Sequence, residues 1–387
     1  MLTTQGWMVA IVSMAVVAAG RLFGIFELYL VGAAGVALVI AALVTVARTR
    51  LRIDIARELH PPRVHAGGPS RVELRITNRG RRRSSLLRLK DPVGDGRSAS
   101  VVVAPLGPGE TVRATYRLPT ETRGILAVGP LSIEVSDPFG LAATATRGAP
   151  VVELTVWPAI DEIASLPHTS GDDPHGGTDH PNALAAAGDD FYALRDYVVG
   201  DDLRHVHWRS TARRDELMVR QDEMPWQGRA TILLDTRADA HTPDTFEAAV
   251  SAAASIVVAC NKRRFLVRLL TTAGADTGSG AGAAHVENIL EELATVSTDR
   301  TGHLAGAAAA LRRAGSSGGA LTVLLGGKGE DPDTIGRLRR SFSHCTALTF
   351  RAGRGGAGGA GLLVVDDEHA FADVWGRATA ARRLARR

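Results

Sequence analysis

The chain has 387 residues, 45% of them hydrophobic and 22% charged, with a formal net charge of +4 at pH 7. This length is typical of two or three domains, each able to bury its own core. The surplus of positive charge is local and does not indicate nucleic-acid binding, and the two cysteines indicate neither a disulfide framework nor a thiolate metal site.

The N-terminal residues have the composition of a membrane anchor. Segments 7–26 and 28–47 are each close to the roughly 20 residues that a bilayer span requires, and the first contains one charged residue, Arg21. We predict a transmembrane hairpin, with Arg21 and Glu27 near its tight connection. A signal peptide is the alternative, but the first six residues lack a basic region and a second apolar segment follows at once.

Basic residues directly follow the second apolar segment, namely Arg48, Arg50, Arg52 and Arg57. Clustered Lys and Arg beside a membrane span normally stay in the cytoplasm. We therefore predict a protein of the cell membrane whose remaining residues, about 340 of them, lie in the cytosol.

Residues 53–157 have the pattern of a β-sandwich. Apolar and polar residues alternate in short segments, such as 72–76 and 131–135, which are separated by turns rich in Gly, Pro and Asn. Short strands at this spacing predict a sandwich of the immunoglobulin type. Residues 158–187 are polar and lack periodicity, which indicates a linker.

Predicted strands and helices alternate after residue 228. A buried-strand pattern at 230–234 precedes an alanine-rich helix at 246–260, and the alternation continues to the C-terminus. Such alternation predicts a parallel sheet covered by helices on both faces. The expected fold is therefore multi-domain α+β, made up of a hairpin (1–50), a β-sandwich (53–157), a linker (158–187), a charged segment (188–228) and an α/β domain (229–387).

Charged and aromatic residues are densest in segment 188–220. Six arginines interleave with seven acids, which argues against a phosphate-tracking surface and favours internal ion pairs. A helix is predicted at 202–213, capped by the Gly200-Asp201 turn, and a strand at 217–221. We interpret the segment either as an ion-paired hub between two domains or as a surface for a partner or ligand.

The residues expected to form this hub or surface recur at fixed spacings: Asp190, Phe191, Leu194, Arg195, Tyr197, Gly200, Asp201, Arg204, His207, Trp208, Ala212, Arg213 and Arg220. Together with Asp137-Pro138-Phe139-Gly140-Leu141 upstream, this order resembles the signature of the bacterial family called domain of unknown function fifty-eight. The resemblance implies a fold like that of von Willebrand factor A for 229–387. It also implies a MoxR-type AAA+ ATPase as partner, in the assembly or maturation of envelope or other complexes.

A fold of the von Willebrand factor A type holds a divalent cation with Asp-x-Ser-x-Ser at the end of its first strand, where hard oxygen ligands suit magnesium. The corresponding residues in this chain are Asp235-Thr236-Arg237-Ala238-Asp239. Asp235 and Asp239 are the candidate ligands, but the charge of Arg237 opposes a cation. We therefore expect no metal or other cofactor, with Asp235 capping the strand end or pairing with Arg237.

A catalytic role is an alternative interpretation for one histidine. His207, next to Trp208, could act as a general base oriented by Asp201 or Asp202, although a structural histidine is the interpretation we favour. The sequence thus predicts a non-enzymatic, membrane-anchored scaffold that works through protein contacts. The alternatives are a hydrolase using the Asp/His/Arg cluster of 188–220 and a metal-dependent adhesion-type binding module.

Overall fold

The computed structural model describes residues 1–48, 52–166, 191–197, 206–214, 216–222, 228–313, 319–342, 344–353 and 361–384. It is a mixed α+β structure that divides into two compact units. Unit 1 comprises Met1–Ala159 and Leu290–Val296, and unit 2 comprises Ile160–Ile289 and Ser297–Arg387.

Unit 1 begins with a helical hairpin, α1 (Thr4–Phe23) and α2 (Phe26–Arg48). Both helices are long and apolar enough to cross a membrane, with mean hydropathies of 1.8 and 2.6. Gly24 ends α1 in the left-handed conformation, at φ 68°, which glycine adopts without a Cβ clash. Because the helix ends there, the first span lies about three residues earlier than predicted, and Glu27 belongs to the first turn of α2 rather than to the connection.

Glycines allow the two helices to approach closely. A Cβ added at Gly20 would lie 2.5 Å from the backbone nitrogen of Tyr29, and one at Gly32 would lie 2.7 Å from that of Val17. Small residues at such contacts are typical of helix pairs within membranes, where van der Waals packing drives association. The hairpin is therefore built for close backbone packing.

Ten strands follow in unit 1: β1 (Ile53–His60), β2 (Arg63–His65), β3 (Arg71–Asn78), β4 (Leu87–Val93), β5 (Arg97–Val103), β6 (Thr111–Arg117), β7 (Gly124–Val128), β8 (Leu131–Ser136), β9 (Ala143–Ala149) and β10 (Val152–Trp157). One sheet has the order β1-β3-β6, and the other has the order β2-β10-β7-β4-β8-β9, with β5 paired to β4. Both sheets contribute apolar side chains to one core, among them Leu74, Leu89 and Leu154.

The remaining elements are β11 (Phe191–Asp196), α3 (Trp208–Arg214), β12 (Met218–Asp222), β13 (Arg229–Leu234), α4 (Pro243–Asn261), β14 (Leu266–Thr271), α5 (Ala283–Thr295), α6 (Leu304–Arg313), β15 (Ala320–Gly326), α7 (Pro332–Ser341), β16 (His344–Phe350), β17 (Leu363–Val365) and α8 (Phe371–Leu384). They belong to unit 2, except that α5 belongs to unit 1 from Leu290 onward. Strands β11 and β12 form a separate antiparallel pair. The other five strands form a sheet in the order β14-β13-β15-β16-β17.

The five-stranded sheet is parallel throughout, which confirms the sequence prediction. Its central strands β13 and β15 are almost entirely buried, as expected of apolar runs covered on both faces. Helix α4 is also long and apolar enough to span a membrane, but 67% of its apolar window is buried inside the protein. Its apolarity therefore reflects packing within unit 2.

Two predicted boundaries change in this unit. The helix predicted from residue 202 begins at Trp208, because Val206 takes part in a β-bridge and the backbone N–H of His207 donates to the Met218 carbonyl at 2.8 Å. Part of the predicted linker packs onto unit 2, where the Trp375 Nε1–H donates to the Ala164 carbonyl at 2.6 Å. Residues 167–187 of that linker lie outside the described residues.

A buried ion pair lies within the sandwich of unit 1. Arg57 donates from one terminal nitrogen to Asp91 Oδ1 at 2.6 Å, and each side chain is only 2% exposed. The hydroxyl of Tyr116 donates to Asp91 Oδ2 at 2.7 Å. Burial, and next the hydrogen bond to Asp91, raise the pKa of Tyr116 far above its ordinary value. Asp91 thus accepts hydrogen bonds from the buried Arg57 side chain and from the half-buried Tyr116.

Removing this acceptor should destabilise unit 1 strongly. We expect Asp91→Ala to lower the free energy of unfolding by about 3–5 kcal/mol, because the Arg57 charge remains buried and uncompensated. Tyr116→Phe should cost about 1.5–3 kcal/mol, the range for a hydrogen bond to a charged group. The control Arg113→Ala removes a largely exposed side chain and should change stability by less than about 0.5 kcal/mol. Urea unfolding of the detergent-solubilised chain measures all three, and equal losses in Asp91→Ala and Arg113→Ala would contradict the account.

Candidate functional site

In the signature segment, β11, α3 and β12 follow one another along the chain, and β11 pairs with β12 in antiparallel orientation. In the pair, Leu194 lies opposite Arg220 and Arg195 lies opposite Val219, so residues from both ends of the signature become neighbours. Phe191 begins β11, opposite Asp222. Four predicted site residues fall outside the described residues: Asp190, Gly200, Asp201 and Arg204.

His207 occupies the N-cap position of α3. Its carbonyl accepts from the backbone N–H groups of Ser210, at 3.0 Å, and Thr211, at 3.1 Å. Its Nδ1 lies 2.9 Å from Ser210 Oγ and accepts from the Ser210 backbone N–H at 3.3 Å. Because Nδ1 accepts, the neutral ring carries its proton on Nε2. This geometry assigns His207 a structural task, since a side chain that accepts from the first turn stabilises a helix start.

Helix α3 presents an aromatic side chain to solvent. Trp208 is 66% exposed, and the neighbouring predicted residues Ala212 and Arg213 are also exposed. Val206 and Met218 are buried and hold the segment in place. We call the surface formed by Trp208, Arg209 and Arg213 the α3 face.

Backbone contacts fix the register around α3. The half-buried Tyr197 donates its backbone N–H to the Leu217 carbonyl at 2.9 Å, and Met218 donates its backbone N–H to Thr211 Oγ1 at 3.0 Å. These contacts are compatible with an ordered surface at α3. The ion pairs expected between strand side chains in 188–220 stay a prediction, because those side chains lie outside the described part of the chain.

A second group of charged residues lies where the parallel strands of unit 2 end, which we call the carboxyl edge. Asp235 follows β13 directly and is completely buried. Arg237 Nε donates to Asp235 Oδ1 at 2.9 Å, and an Arg237 terminal nitrogen donates to Oδ2 at 2.9 Å. The same terminal nitrogen donates to the Gly329 carbonyl at 2.7 Å. Asp235 and Arg237 therefore form a bidentate pair, the strongest geometry available to these groups.

Acidic neighbours surround this guanidinium. The hydrogen bonds that Arg237 donates to Asp235 raise the pKa of Arg237, and the charges of Asp239 and Asp331 act in the same direction. Gly329 makes room for the pair, because a Cβ there would lie 2.5 Å from Arg237 and 2.7 Å from Asp235. The guanidinium thus supplies the positive charge that the buried carboxylate requires.

The geometry of the carboxyl edge also concerns Asp235 and Asp239, the two candidate metal ligands. Asp235 has its oxygens directed to Arg237 and, at 3.3 Å, to the Thr272 hydroxyl, while Asp239 is exposed. Within the described ranges no three His, Cys, Asp or Glu side chains are grouped so that they could hold a metal ion. Arg237 neutralises the charge of Asp235, and both Asp235 side-chain oxygens already accept hydrogen bonds.

Sequence reasoning missed His241, which lies near the same edge. Both ring nitrogens are buried and lack a hydrogen-bond partner among the described residues, and the ring packs edge-on against Phe246 at 5.4 Å. Burial lowers the pKa of His241, and the nearby charges of Asp235 and Arg237 act in opposite directions. Its position six residues after Asp235 matches no motif, so the sequence carried no signal for it.

The Asp235–Arg237 pair yields a stability prediction. Arg237→Met should lower the free energy of unfolding by about 3–5 kcal/mol, because Asp235 would remain charged and buried. The double variant Asp235→Asn/Arg237→Met should lose less than the sum of the two single losses. Arg313→Met, at an exposed position of the same unit, is the matched control and should lie within about 0.5 kcal/mol of the native chain. Additive single losses in denaturant titrations would show that the pair is not coupled.

The buried ring of His241 yields a pH prediction. Because its pKa is lowered on folding, the unfolded chain binds the proton more readily, so stability should fall as pH drops below about 6.5. The loss should stop once the pH is below the folded-state pKa. His241→Gln should flatten this slope, whereas His303→Gln, at an exposed position of unit 2, should leave it unchanged. Urea midpoints measured between about pH 8 and about pH 5 test this, and an unaltered slope in His241→Gln would contradict it.

Comparison with known proteins gives a match in the same region. The family model described as "Protein of unknown function DUF58" matches residues 193–341, from within β11 to the end of α7. No curated protein matches the chain.

Several solved structures resemble parts of the chain at low overall similarity. The CARDB domain of a Pyrococcus furiosus protein is 14% identical, with 27% of this chain and 91% of that chain covered and a TM-score of 0.21. A putative ApaA protein from Bordetella pertussis is 19% identical, with 28% and 94% covered and a TM-score of 0.20. A beta-glucosidase from Listeria innocua is 12% identical, with 27% and 17% covered and a TM-score of 0.18. Residues 193–341, which include most of the signature and the carboxyl edge, therefore match the DUF58 family.

Proposed function

We propose that the protein is a membrane-anchored, non-enzymatic interaction protein that works with a MoxR-type AAA+ ATPase in the assembly or maturation of envelope or other complexes. The observation that carries the proposal is the α3 face, an exposed tryptophan flanked by arginines in the family-matched region. Tryptophan and arginine dominate the binding energy of many protein interfaces. In this account the partner supplies the ATP chemistry.

The proposed architecture is a hairpin in the cell membrane, a sandwich of the immunoglobulin type and a domain of the von Willebrand factor A type, with the soluble parts in the cytosol. The apolar helices and the arginines after α2 support the membrane orientation. The parallel sheet, with Asp235 at the end of β13, supports the assignment of the last domain. There the Arg237 guanidinium replaces the cation that an Asp-x-Ser-x-Ser site would hold, so binding proceeds through side-chain surfaces.

The cap geometry of His207 favours the scaffold over the hydrolase alternative. Its Nδ1 accepts from the first turn of α3, so an oriented acid cannot use that nitrogen while the helix is capped. A general base of the usual arrangement needs one nitrogen for the orienting acid and the other for the substrate. Substitution of His207 should therefore first destabilise the start of α3.

Trp208→Ala tests the proposal directly. It should weaken binding of the full-length, detergent-solubilised chain to the MoxR-type ATPase of the same host by about tenfold or more, the effect of truncating an interface anchor. Ile160→Ala, at another exposed apolar position of unit 2, should leave the affinity unchanged. Calorimetric titration gives both affinities. Failure of the native chain to bind, or equal affinity of Trp208→Ala and native, would contradict the proposal.

Two substitutions of His207 separate a cap from a catalyst. His207→Asn keeps an N-cap acceptor and should retain ATPase binding, whereas His207→Ala should weaken it because α3 loses its cap. The readout is the same calorimetric titration, with circular dichroism as the check on folding. A substrate turnover that both variants abolish, with folding and binding intact, would instead identify an enzyme.

A further inference from the structure

The membrane hairpin and the sandwich of unit 1 meet at one end of the sandwich. Strand β1 begins five residues after α2 ends, and its first residue, Ile53, pairs with Asn78. In the other sheet Val135 pairs with Leu87, and residues 137–142 follow at this end. The register places Val93 and its partner Val128 at the opposite end. We call the end that carries Ile53, Val135 and residues 137–142 the membrane-proximal end.

A tight turn, residues 137–142, projects at this end. Asp137 is buried and accepts backbone N–H groups from Phe139, at 2.9 Å, and Ala142, at 2.6 Å. Gly140 adopts φ 69° and donates its N–H to the Asp137 carbonyl at 3.0 Å. With the acid fully occupied by the turn, the Phe139 side chain is left 65% exposed at the tip.

The same turn is bonded to the start of the hairpin. Leu2 forms an antiparallel bridge with Ala142, and Thr3 donates its backbone N–H to the Leu141 carbonyl at 2.9 Å. The Thr3 hydroxyl donates to the Gly140 carbonyl at 2.6 Å. The turn is therefore held beside the first residues of α1 by both backbone and side-chain hydrogen bonds.

The depth of this contact follows from helix geometry. Leu141 and Ala142 share an apolar cluster with Val39 of α2 and Val9 of α1. Val39 lies nine residues before Arg48, or about 14 Å along the helix. The twenty residues of α1 extend about 30 Å, the thickness of the hydrocarbon layer, so neither helix has two spare turns outside the bilayer. Residues 138–141 must then reach the lipid interface.

Exposed arginines lie at the same end of the sandwich as the turn. The buried Asn78 donates from its side-chain nitrogen to the carbonyls of Arg82 and Leu106, each at 2.9 Å, and so shapes the loop that carries Arg81–Arg83. The backbone N–H of Arg79 donates to the Arg52 carbonyl at 2.7 Å, which ties this loop to the chain just after α2.

Among the described residues, the acids at this end have other partners, and Glu110 accepts from the Gly107 backbone N–H at 2.6 Å. Asp54 pairs with Arg79 at 3.2 Å, and Asp137 is occupied within its turn. The three consecutive arginines, 81–83, are exposed. An exposed aromatic side chain and clustered positive charge at the same end of the sandwich match the two properties of an anionic membrane surface, which are its apolar interior and its negative charge.

We propose that the membrane-proximal end of the sandwich is a lipid-binding surface, in which Phe139 inserts into the bilayer interface and Arg81–Arg83 bind the headgroups of anionic lipids. The inference rests on the proposed membrane anchoring and goes beyond it. A hairpin alone would leave the sandwich free to tilt, whereas this surface holds its end on the membrane.

Spin labels on the full-length chain in nanodiscs containing phosphatidylglycerol test the inserted residue. Cys345→Ser removes the accessible thiol, while the buried Cys260, whose pKa burial raises to about 12, can remain. Labels at Phe139→Cys, at Ile40→Cys within α2, and at Ile125→Cys near the opposite end of the sandwich are compared. The readout is the ratio of collisions with oxygen, which is lipid-soluble, to collisions with a water-soluble nickel chelate.

The three labels distinguish the possible outcomes. Oxygen-favoured collisions at 40 and 139, with nickel-favoured collisions at 125, are expected. Nickel-favoured collisions at 139 with a lipid-embedded label at 40 would overturn the lipid-binding surface and leave the membrane anchor intact. Nickel-favoured collisions at 40 would overturn the anchor itself, and the inference with it.

A charge-matched pair of variants tests the arginines. Arg81→Gln/Arg82→Gln/Arg83→Gln removes the charge of the loop, and Arg71→Gln/Arg97→Gln/Arg117→Gln removes three exposed arginines at the opposite end. Each arginine near an anionic surface should contribute about fivefold to surface association. The label at position 139 should therefore lie deeper in nanodiscs of phosphatidylglycerol than in nanodiscs of phosphatidylcholine. This difference is expected both for the chain with native Arg81–Arg83 and for the opposite-end control variant. The loop variant should lose this difference, and equal depth in both lipids for the native loop would overturn the headgroup assignment.

Discussion

The structure of unit 2 depends on one buried carboxylate and its neutralisation. Asp235 lies where the central strand β13 ends, completely buried, and a charge in that position needs a fixed counter-charge. The Arg237 guanidinium supplies it with two hydrogen bonds and is itself held by the Gly329 carbonyl. Because the counter-charge is covalently part of the chain, the Asp235 carboxylate is neutralised by a neighbouring side chain.

Buried acids elsewhere in the described residues also have hydrogen-bond donors of their own. Asp91 accepts from Arg57 and Tyr116 inside the sandwich, and both Asp137 side-chain oxygens accept from backbone N–H groups of their own turn. Exposed aromatic side chains include Phe139 in unit 1 and Trp208 in unit 2. An anchored protein of this kind would contact lipid through the first and a protein partner through the second.

Patterns of apolar residues allowed much of this structure to be predicted. Two long apolar runs gave the hairpin, and the alternation of strands and helices after residue 228 gave the parallel sheet, because both patterns follow from local periodicity. Boundaries were less accurate, since the end of α1 depends on a single left-handed glycine, Gly24, and the start of α3 depends on the His207 cap. Neither has a periodic signal.

Pairings between distant residues were the hardest to predict. The Asp235–Arg237 pair was expected because the two residues are close in sequence, whereas the Arg57–Asp91 pair joins residues 34 apart and left no local pattern. Magnesium calorimetry on the full-length chain tests the central claim most directly. We expect no binding heat above that of dilution, because the guanidinium occupies the place of a cation. Magnesium affinity that disappears in Asp235→Ala would contradict it.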